Sequence, residues 1–272
     1  MLRVEKVSSQ FGGEELLRRH RGEGLLVGQP LAKVVGLAAG PARANATTIT
    51  FQPDADIFTT TELSYDVLER YFRELAFPNR GLDIALTDER TPGRLRSQRF
   101  RFPGGVRDFV TFLDEEAAAG AGMPGTSIEQ DDVIGFERAD ARMAGTVDVA
   151  LRWYGSQEER LRSFANSWPT PEGGTHEAGF RGGLAAAVNA YARKRGLLTE
   201  EDPDLSTDRI GEGLTAVVSV KLERLEFQGA TRGRLGGTVV HYCVTAAVRE
   251  HLGTWLEEQP ERARAVIGRI LS

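Results

Sequence analysis

The run Leu214-Thr215-Ala216-Val217-Val218-Ser219-Val220-Lys221-Leu222 constrains the fold of this chain more than any other feature. It is rich in Val and Thr and reads as a buried strand. A buried strand must be covered, and long helical stretches stand on either side of it in sequence. Upstream, a helix is predicted from about Glu177 to Arg195, with Phe180, Leu184, Val188 and Tyr191 as its apolar stripe. Arg193, Lys194 and Arg195, followed by Gly196, make a stop matched to the helix dipole. Downstream, a helix begins at Thr238 and carries Val240, Val244, Val248, Leu252 and Trp255 on one face. Pro260 interrupts it and suits the first turn of a further helix with Ala263, Val266, Ile267 and Ile270 on its stripe.

The remainder supplies strands and shorter helices. Leu2 to Val7 alternates apolar and polar residues as a half-buried strand does. After the Gly12-Gly13 turn, Glu14 to Arg21 is either the returning strand of a hairpin or a helix. Thr47 to Phe51 reads as a strand that stops at Pro53-Asp54. Ser64 to Phe77 reads as a helix with Ser64 as N-cap and Asp66 in its first turn, and Leu82 to Leu86 as another strand. Thr91-Pro92-Gly93 marks a boundary between two parts, 1–90 and 91–272. A short strand at Ser97 to Phe102 and a helix from about Val106 to Ala119 follow it. Val133 to Ala139 and Thr146 to Tyr154 then look like a hairpin pair. Strands and helices alternate irregularly, without a βαβ rhythm, so the class is mixed α/β of the α+β kind.

Composition excludes several functions. Thirty-nine acidic against 34 basic residues give a formal charge of −5, which rules out a basic coat for nucleic acid but not a local basic patch. The single cysteine, Cys243, excludes an intramolecular disulfide and a Cys-rich zinc site, and it reads as a packed thiol. His20, His176, His241 and His251 lack metal-ligand spacing. Gly120-x-Gly122-x-x-Gly125 has the letters of a dinucleotide fingerprint, but it follows a predicted helix and contains Pro124, so it reads as a surface loop. No apolar run approaches the roughly 20 residues of a membrane helix, and Met1 to Gln10 lack a signal stretch. A soluble, cytoplasmic protein without a membrane span is expected. No catalytic residue and no metal site is assigned.

Two segments carry more. Glu172-Gly173-Gly174-Thr175-His176 stands directly before the first long helix; its glycines permit positive φ or close approach, and Thr175 is placed to cap the helix. Phe227 to Gly236 is a Gly-rich basic loop between the buried strand and the second long helix; either Arg232, Arg234 and backbone amides there hold an anion such as phosphate, or the segment is a solvated connector.

These segments, in this order, resemble the bacterial DNA gyrase B family and its topoisomerase IV counterpart. The similarity begins with Thr48-Ile49-Thr50-Phe51-x-Pro53-Asp54-x-Asp56-Ile57-Phe58 and continues through Arg73-Glu74-Leu75-Ala76-Phe77, Gly81-Leu82 and Thr87-Asp88-Glu89-Arg90. Glu172 to His176 with Gly179-Phe180-Arg181, then Glu212-Gly213-Leu214 through Lys221, is more specific still. The resemblance implies a type II DNA topoisomerase clamp operated by ATP. Residues 1–90 would be the C-terminal part of a GHKL ATPase domain. Residues 91–272 would be a transducer with the ribosomal-protein-S5-domain-2-like fold, coupling ATP binding to capture of a DNA segment.

The resemblance also implies site residues. The family offers the γ-phosphate a lysine in a Gln-Thr-Lys loop; here that loop aligns to Ala230-Thr231-Arg232, so Thr231 and Arg232 are the candidate phosphate contacts of a degenerate loop. Arginine is a planar fork where lysine is a compact point charge. Arg181 aligns with a basic residue lining the DNA-holding cavity, and position 211 is Gly where the family usually has Arg. ATP and Mg are the family's cofactors. Its remaining nucleotide motifs fall upstream of Met1 and its TOPRIM domain downstream, so this chain is not expected to hydrolyse ATP alone. Implied partners are DNA, held weakly by this chain alone, a gyrase A-type or another gyrase B-type protein, and a second copy in a homodimer. The alternative is a stand-alone degenerate paralogue that acts as regulator, decoy or protector by binding a gyrase subunit.

Overall fold

A computed structural model describes residues 2–7, 46–49, 60, 62–88, 90–91, 93–120, 133–154 and 158–271. The chain divides into two units, Met1–Gly105 and Val106–Ser272. Glu14 to Arg21 and residues 121–125 of the Gly120-x-Gly122-x-x-Gly125 stretch lie outside the described residues.

The first unit holds a four-stranded antiparallel sheet of β1 (Leu2–Val7), β2 (Ala46–Ile49), β3 (Ile84–Asp88) and β4 (Arg96–Phe100), in the order β2-β1-β3-β4. Helix α1 (Tyr65–Ala76) begins where Ser64 Oγ accepts from Val67 N at 3.4 Å, the cap expected from sequence. Tyr65 and Ala76 of α1 bury with Ile84, Leu86 and Phe100, and Leu68, Phe72 and Leu75 pack against them. The strand expected to open the second part instead pairs along its length with β3, Ile84 opposite Phe100 through Asp88 opposite Arg96. The 91–93 turn signal thus joins two paired strands, and the units divide after Gly105. A hairpin reversal and a domain boundary draw on the same turn residues, so composition does not separate them.

The second unit is a mixed five-stranded sheet: β5 (Ile134–Asp140), β6 (Gly145–Trp153), β7 (Arg160–Ala165), β8 (Trp168–Pro169) and β9 (Leu214–Leu222), in the order β5-β6-β9-β7-β8. β9 is central, antiparallel to β6 and parallel to β7. Its helices are α2 (Val106–Gly120), α3 (Thr175–Lys194), α4 (Thr207–Gly211), α5 (Thr238–Glu258) and α6 (Pro260–Leu271). Leu214, Ala216, Val218, Val220 and Leu222 pack with Phe180, Leu184 and Val188 of α3, Val244 and Val248 of α5, and Ile267 of α6. On the opposite face, Thr215 donates to the buried carboxylate of Asp114 on α2 at 2.5 Å. Coverage of both faces explains why β9 is not patterned as a half-solvated strand.

Helices α3 and α5 approach closely because α3 presents Gly179 and Gly183 to its neighbour. A Cβ at Gly179 would lie 2.6 Å from His241 O, and one at Gly183 would lie 2.7 Å from Thr245 O and 2.8 Å from Val248 Cβ. Backbone oxygens cannot rotate away, so Gly183→Ala must force the helices apart. A loss of about 1–3 kcal/mol is expected in urea unfolding. Gly182→Ala, whose Cβ meets only Thr245 side-chain atoms at 3.8–4.0 Å, is expected to be neutral or stabilising. Equal losses for the two would refute the close contact.

Candidate functional site

The two segments singled out in sequence come together in the structure. Strands β10 (Phe227–Gln228) and β11 (Arg234–Leu235) form a small antiparallel hairpin, and 229–233 is its loop. Glu172 to His176 forms its seat. Glu172 N donates to Gly233 O at 3.0 Å, Leu235 N donates to Gly173 O at 3.0 Å, and Gly174 bridges Leu235 in parallel. Thr175 does not cap α3. Gly174 takes the N-cap position at φ 140°, and Thr175 Oγ1 donates instead to Gly236 O at 2.5 Å. The close backbone approach at Gly174 turns the threonine toward the loop.

Thr231 and Arg232 sit at the exposed tip. Thr231 Oγ1 donates to Glu172 Oε1 at 3.2 Å. Arg232 adopts φ 54°, a left-handed conformation disfavoured for a residue with a Cβ. Arg234 is tied down, with Nε donating to Gln228 Oε1 at 3.1 Å and Nη1 to Glu172 O at 3.3 Å. The loop therefore holds one arginine in place and presents the other to solvent.

Beneath the seat lies a polar cluster that sequence reasoning missed. His176, fully buried, places Nε2 3.0 Å from Thr170 Oγ1. Thr170 Oγ1 is 2.7 Å from Ser163 Oγ, which also lies 3.1 Å from Thr170 O and 3.2 Å from Glu177 Oε2. The single hydroxyl hydrogen of Ser163 thus has three oxygens within reach, and the two hydroxyls and the imidazole form one hydrogen-bonded chain. Burial holds the imidazole neutral, its pKa lowered to about 4. Glu177 at i+1 was the only local signal; Ser163 and Thr170 reach the cluster through tertiary structure.

Arg181 stands one and a half turns along α3, apart from the loop. Its Nη1 contacts Glu159 Oε1 at 2.7 Å and its Nη2 contacts Glu177 Oε1 at 3.5 Å. Two carboxylates thus compensate the cation. Gly211 borders the same group, since a Cβ there would lie 3.0 Å from Glu159 Oε1. Of the other singled-out residues, Cys243 and His251 have packing roles, and His20 lies outside the described residues. Cys243 is buried, and burial with Asp140 beside it pushes its thiol pKa up, while His251 stacks on Phe136 at 4.3 Å. Among the described residues no three His, Cys, Asp or Glu gather as a metal site, and no helix is long and apolar enough to cross a membrane.

A family model for DNA gyrase B matches residues 105–272, which include the seat, the loop and β9. The chain belongs to the DNA gyrase B family. It is 40% identical over 236 residues to the DNA gyrase B protein of Streptomyces coelicolor, covering 81% of this chain and 33% of that one. It is 38% identical over 252 residues to the DNA gyrase B protein of Clostridium acetobutylicum, covering 93% and 36%. The chain thus spans about a third of the length of these curated relatives. Among solved structures it is similar to the 43K ATPase domain of Thermus thermophilus gyrase B, crystallised with an aminocoumarin. That match has TM-score 0.70 and 29% identity, and it covers 99% of this chain and 67% of that one.

Proposed function

We propose that this chain is the transducer portion, with the adjoining part of the ATPase domain, of a gyrase B-type DNA topoisomerase clamp. In this reading Met1–Gly105 belongs to the GHKL side and Val106–Ser272 is the transducer. Thr231 and Arg232 would hold the terminal phosphate of a bound ATP, the arginine through its guanidinium fork. The nucleotide supplies the free energy of clamp closure; the chain's own part is to sense the phosphate at the loop and pass its position to α3 and the sheet. Working partners would be DNA, a gyrase A-type protein and a second copy of this chain.

One observation carries the reading: Arg232 is exposed and in a left-handed conformation at the tip of a loop bonded to the start of α3. Residues with a Cβ persist in that region only when the surroundings enforce it, and such positions cluster at ligand clamps. Titration of ¹⁵N-labelled chain with Mg-ATP and with inorganic triphosphate should shift amides in 229–236, with millimolar affinity. Arg232→Ala should weaken binding at least five-fold. Unchanged affinity in Arg232→Ala would reject the assignment.

The assignment of Arg181 to the DNA cavity has its own test. Because Glu159 and Glu177 already compensate its charge, Glu159→Gln is expected to raise affinity for a short duplex several-fold at low salt and to steepen the salt dependence. Adding Arg181→Ala should cancel that gain. A gain that survives the double substitution would place DNA elsewhere.

A second reading, a separate regulator that binds a gyrase subunit, draws on Ala230 and Gly211, two small residues where the family is polar or basic. It requires gyrase binding that is insensitive to triphosphate.

A further inference from the structure

A carboxylate of the chain itself lies against the loop. Glu172 holds it at three points: its N–H donates to Gly233 O at 3.0 Å, its carbonyl accepts from Arg234 Nη1 at 3.3 Å, and its carboxylate accepts from Thr231 Oγ1 at 3.2 Å. The carboxylate lies hard against the loop backbone. A Cβ on Gly233 would come 2.6 Å from Oε1 and 3.0 Å from Cδ, so a side chain at 233 would push the carboxylate aside.

We propose that Glu172 is a positioning residue whose carboxylate stands in for phosphate at the loop and must swing away before a phosphate can bind. The inference rests on the reading of 229–233 as a phosphate loop. The two halves of the residue divide the work. Its backbone bonds lie in the chain that enters α3 and fix the hairpin in place, while its side chain, on an exposed residue, reaches the hydroxyl that a phosphate oxygen would use. An exposed side-chain hydrogen bond is weak enough to break without disturbing the seat. Like charges this close repel, so a phosphate on the Thr231 hydroxyl favours rotation of the carboxylate away from it. The loop then has two settings, closed on Glu172 or open to a phosphate with Glu172 released.

The test uses the full chain, inorganic triphosphate as probe, and three variants. Glu172→Gln keeps an oxygen that accepts from Thr231 and removes the charge. Glu172→Ala removes both. Glu258→Gln, at the far end of α5, changes net charge equally at a remote exposed site. Triphosphate is expected to bind Glu172→Gln and Glu172→Ala about ten-fold more tightly than the parent chain at low salt, with the gain shrinking as salt is raised. Glu258→Gln should bind as the parent does. A purely structural role would leave Glu172→Gln like the parent and make Glu172→Ala bind more weakly. Either result would overturn the proposal while leaving the phosphate loop intact. A gain shared by Glu258→Gln would reduce the effect to net charge and also overturn it. Failure of all four proteins to bind triphosphate would overturn the phosphate loop and this proposal together.

Discussion

Replacing Gly174 by alanine is expected to cost about 2–6 kcal/mol and to free the 227–236 loop from its seat, two costs of about 1–3 kcal/mol each being added. The first cost is conformational. Gly174 lies at φ 140°, ψ −162°, a region essentially closed to residues with a Cβ. The second is steric. The new Cβ would sit 2.3 Å from Leu235 O and 2.6 Å from Leu235 N, both backbone atoms of the bridged strand. Relief requires either a change of backbone at the entry to α3 or separation of β11 from it. Gly196 is the internal control. It also has positive φ, but a Cβ there meets nothing within 4 Å, so Gly196→Ala carries conformational strain alone and should cost no more than about 1–3 kcal/mol. Urea unfolding reads the stability, and amide exchange at 229–236 reads the detachment. A Gly174→Ala chain no less stable than Gly196→Ala would contradict the seat geometry.

The second large effect is a loss of stability in mild acid. His176 is neutral when folded, with a pKa near 4, against an ordinary value of 6.5 in the unfolded chain. Between these values the unfolded state binds the additional proton, so stability falls as pH falls from about 6.5 to 4. Above 6.5 the contribution is fully retained, and below 4 this residue adds no further loss. The difference of 2.5 pH units corresponds to about 3 kcal/mol over that window. His176→Gln retains polar atoms near Thr170 and does not titrate. Whatever its stability at pH 7.5, its stability should vary less between pH 6.5 and 4 by about that amount. An unchanged pH dependence in the variant would show that other groups drive the acid transition.

Much of the second unit was legible because its signals are local. The Val- and Thr-rich run became the central strand β9, and the stripes on 177–195 and 238–258 became α3 and α5, which cover one of its faces. Pro260 opens α6 as its fixed φ suits. What escaped was set by distant partners. β7, Arg160-Leu161-Arg162-Ser163-Phe164-Ala165, reads as a polar segment with two arginines, yet it is the parallel neighbour of β9, with Arg160 opposite Thr215. Parallel pairing joins residues far apart in sequence, and no local pattern announces it. The short helix α4 also went unread, although Ser206 caps it by accepting from Arg209 N at 3.2 Å.

The site divides in the same way. Sequence alone singled out both Glu172 to His176 and Phe227 to Gly236 from glycine spacing and basic residues, and it named Thr231, Arg232 and Arg181 by resemblance. It did not show that the first segment is the seat of the second, because the bonds that join them span roughly sixty positions of chain. Nor did it show that Arg181 faces Glu159, or that His176 is buried behind Thr170 and Ser163. The sequence by itself determined the long helices α3, α5 and α6 and the buried strand β9, since side-chain periodicity and turn residues act over a few positions. Tertiary structure alone decided which glycines are irreplaceable and which charges are compensated. Both depend on atoms brought within about 4 Å by folding, where steric and Coulombic energies change most steeply.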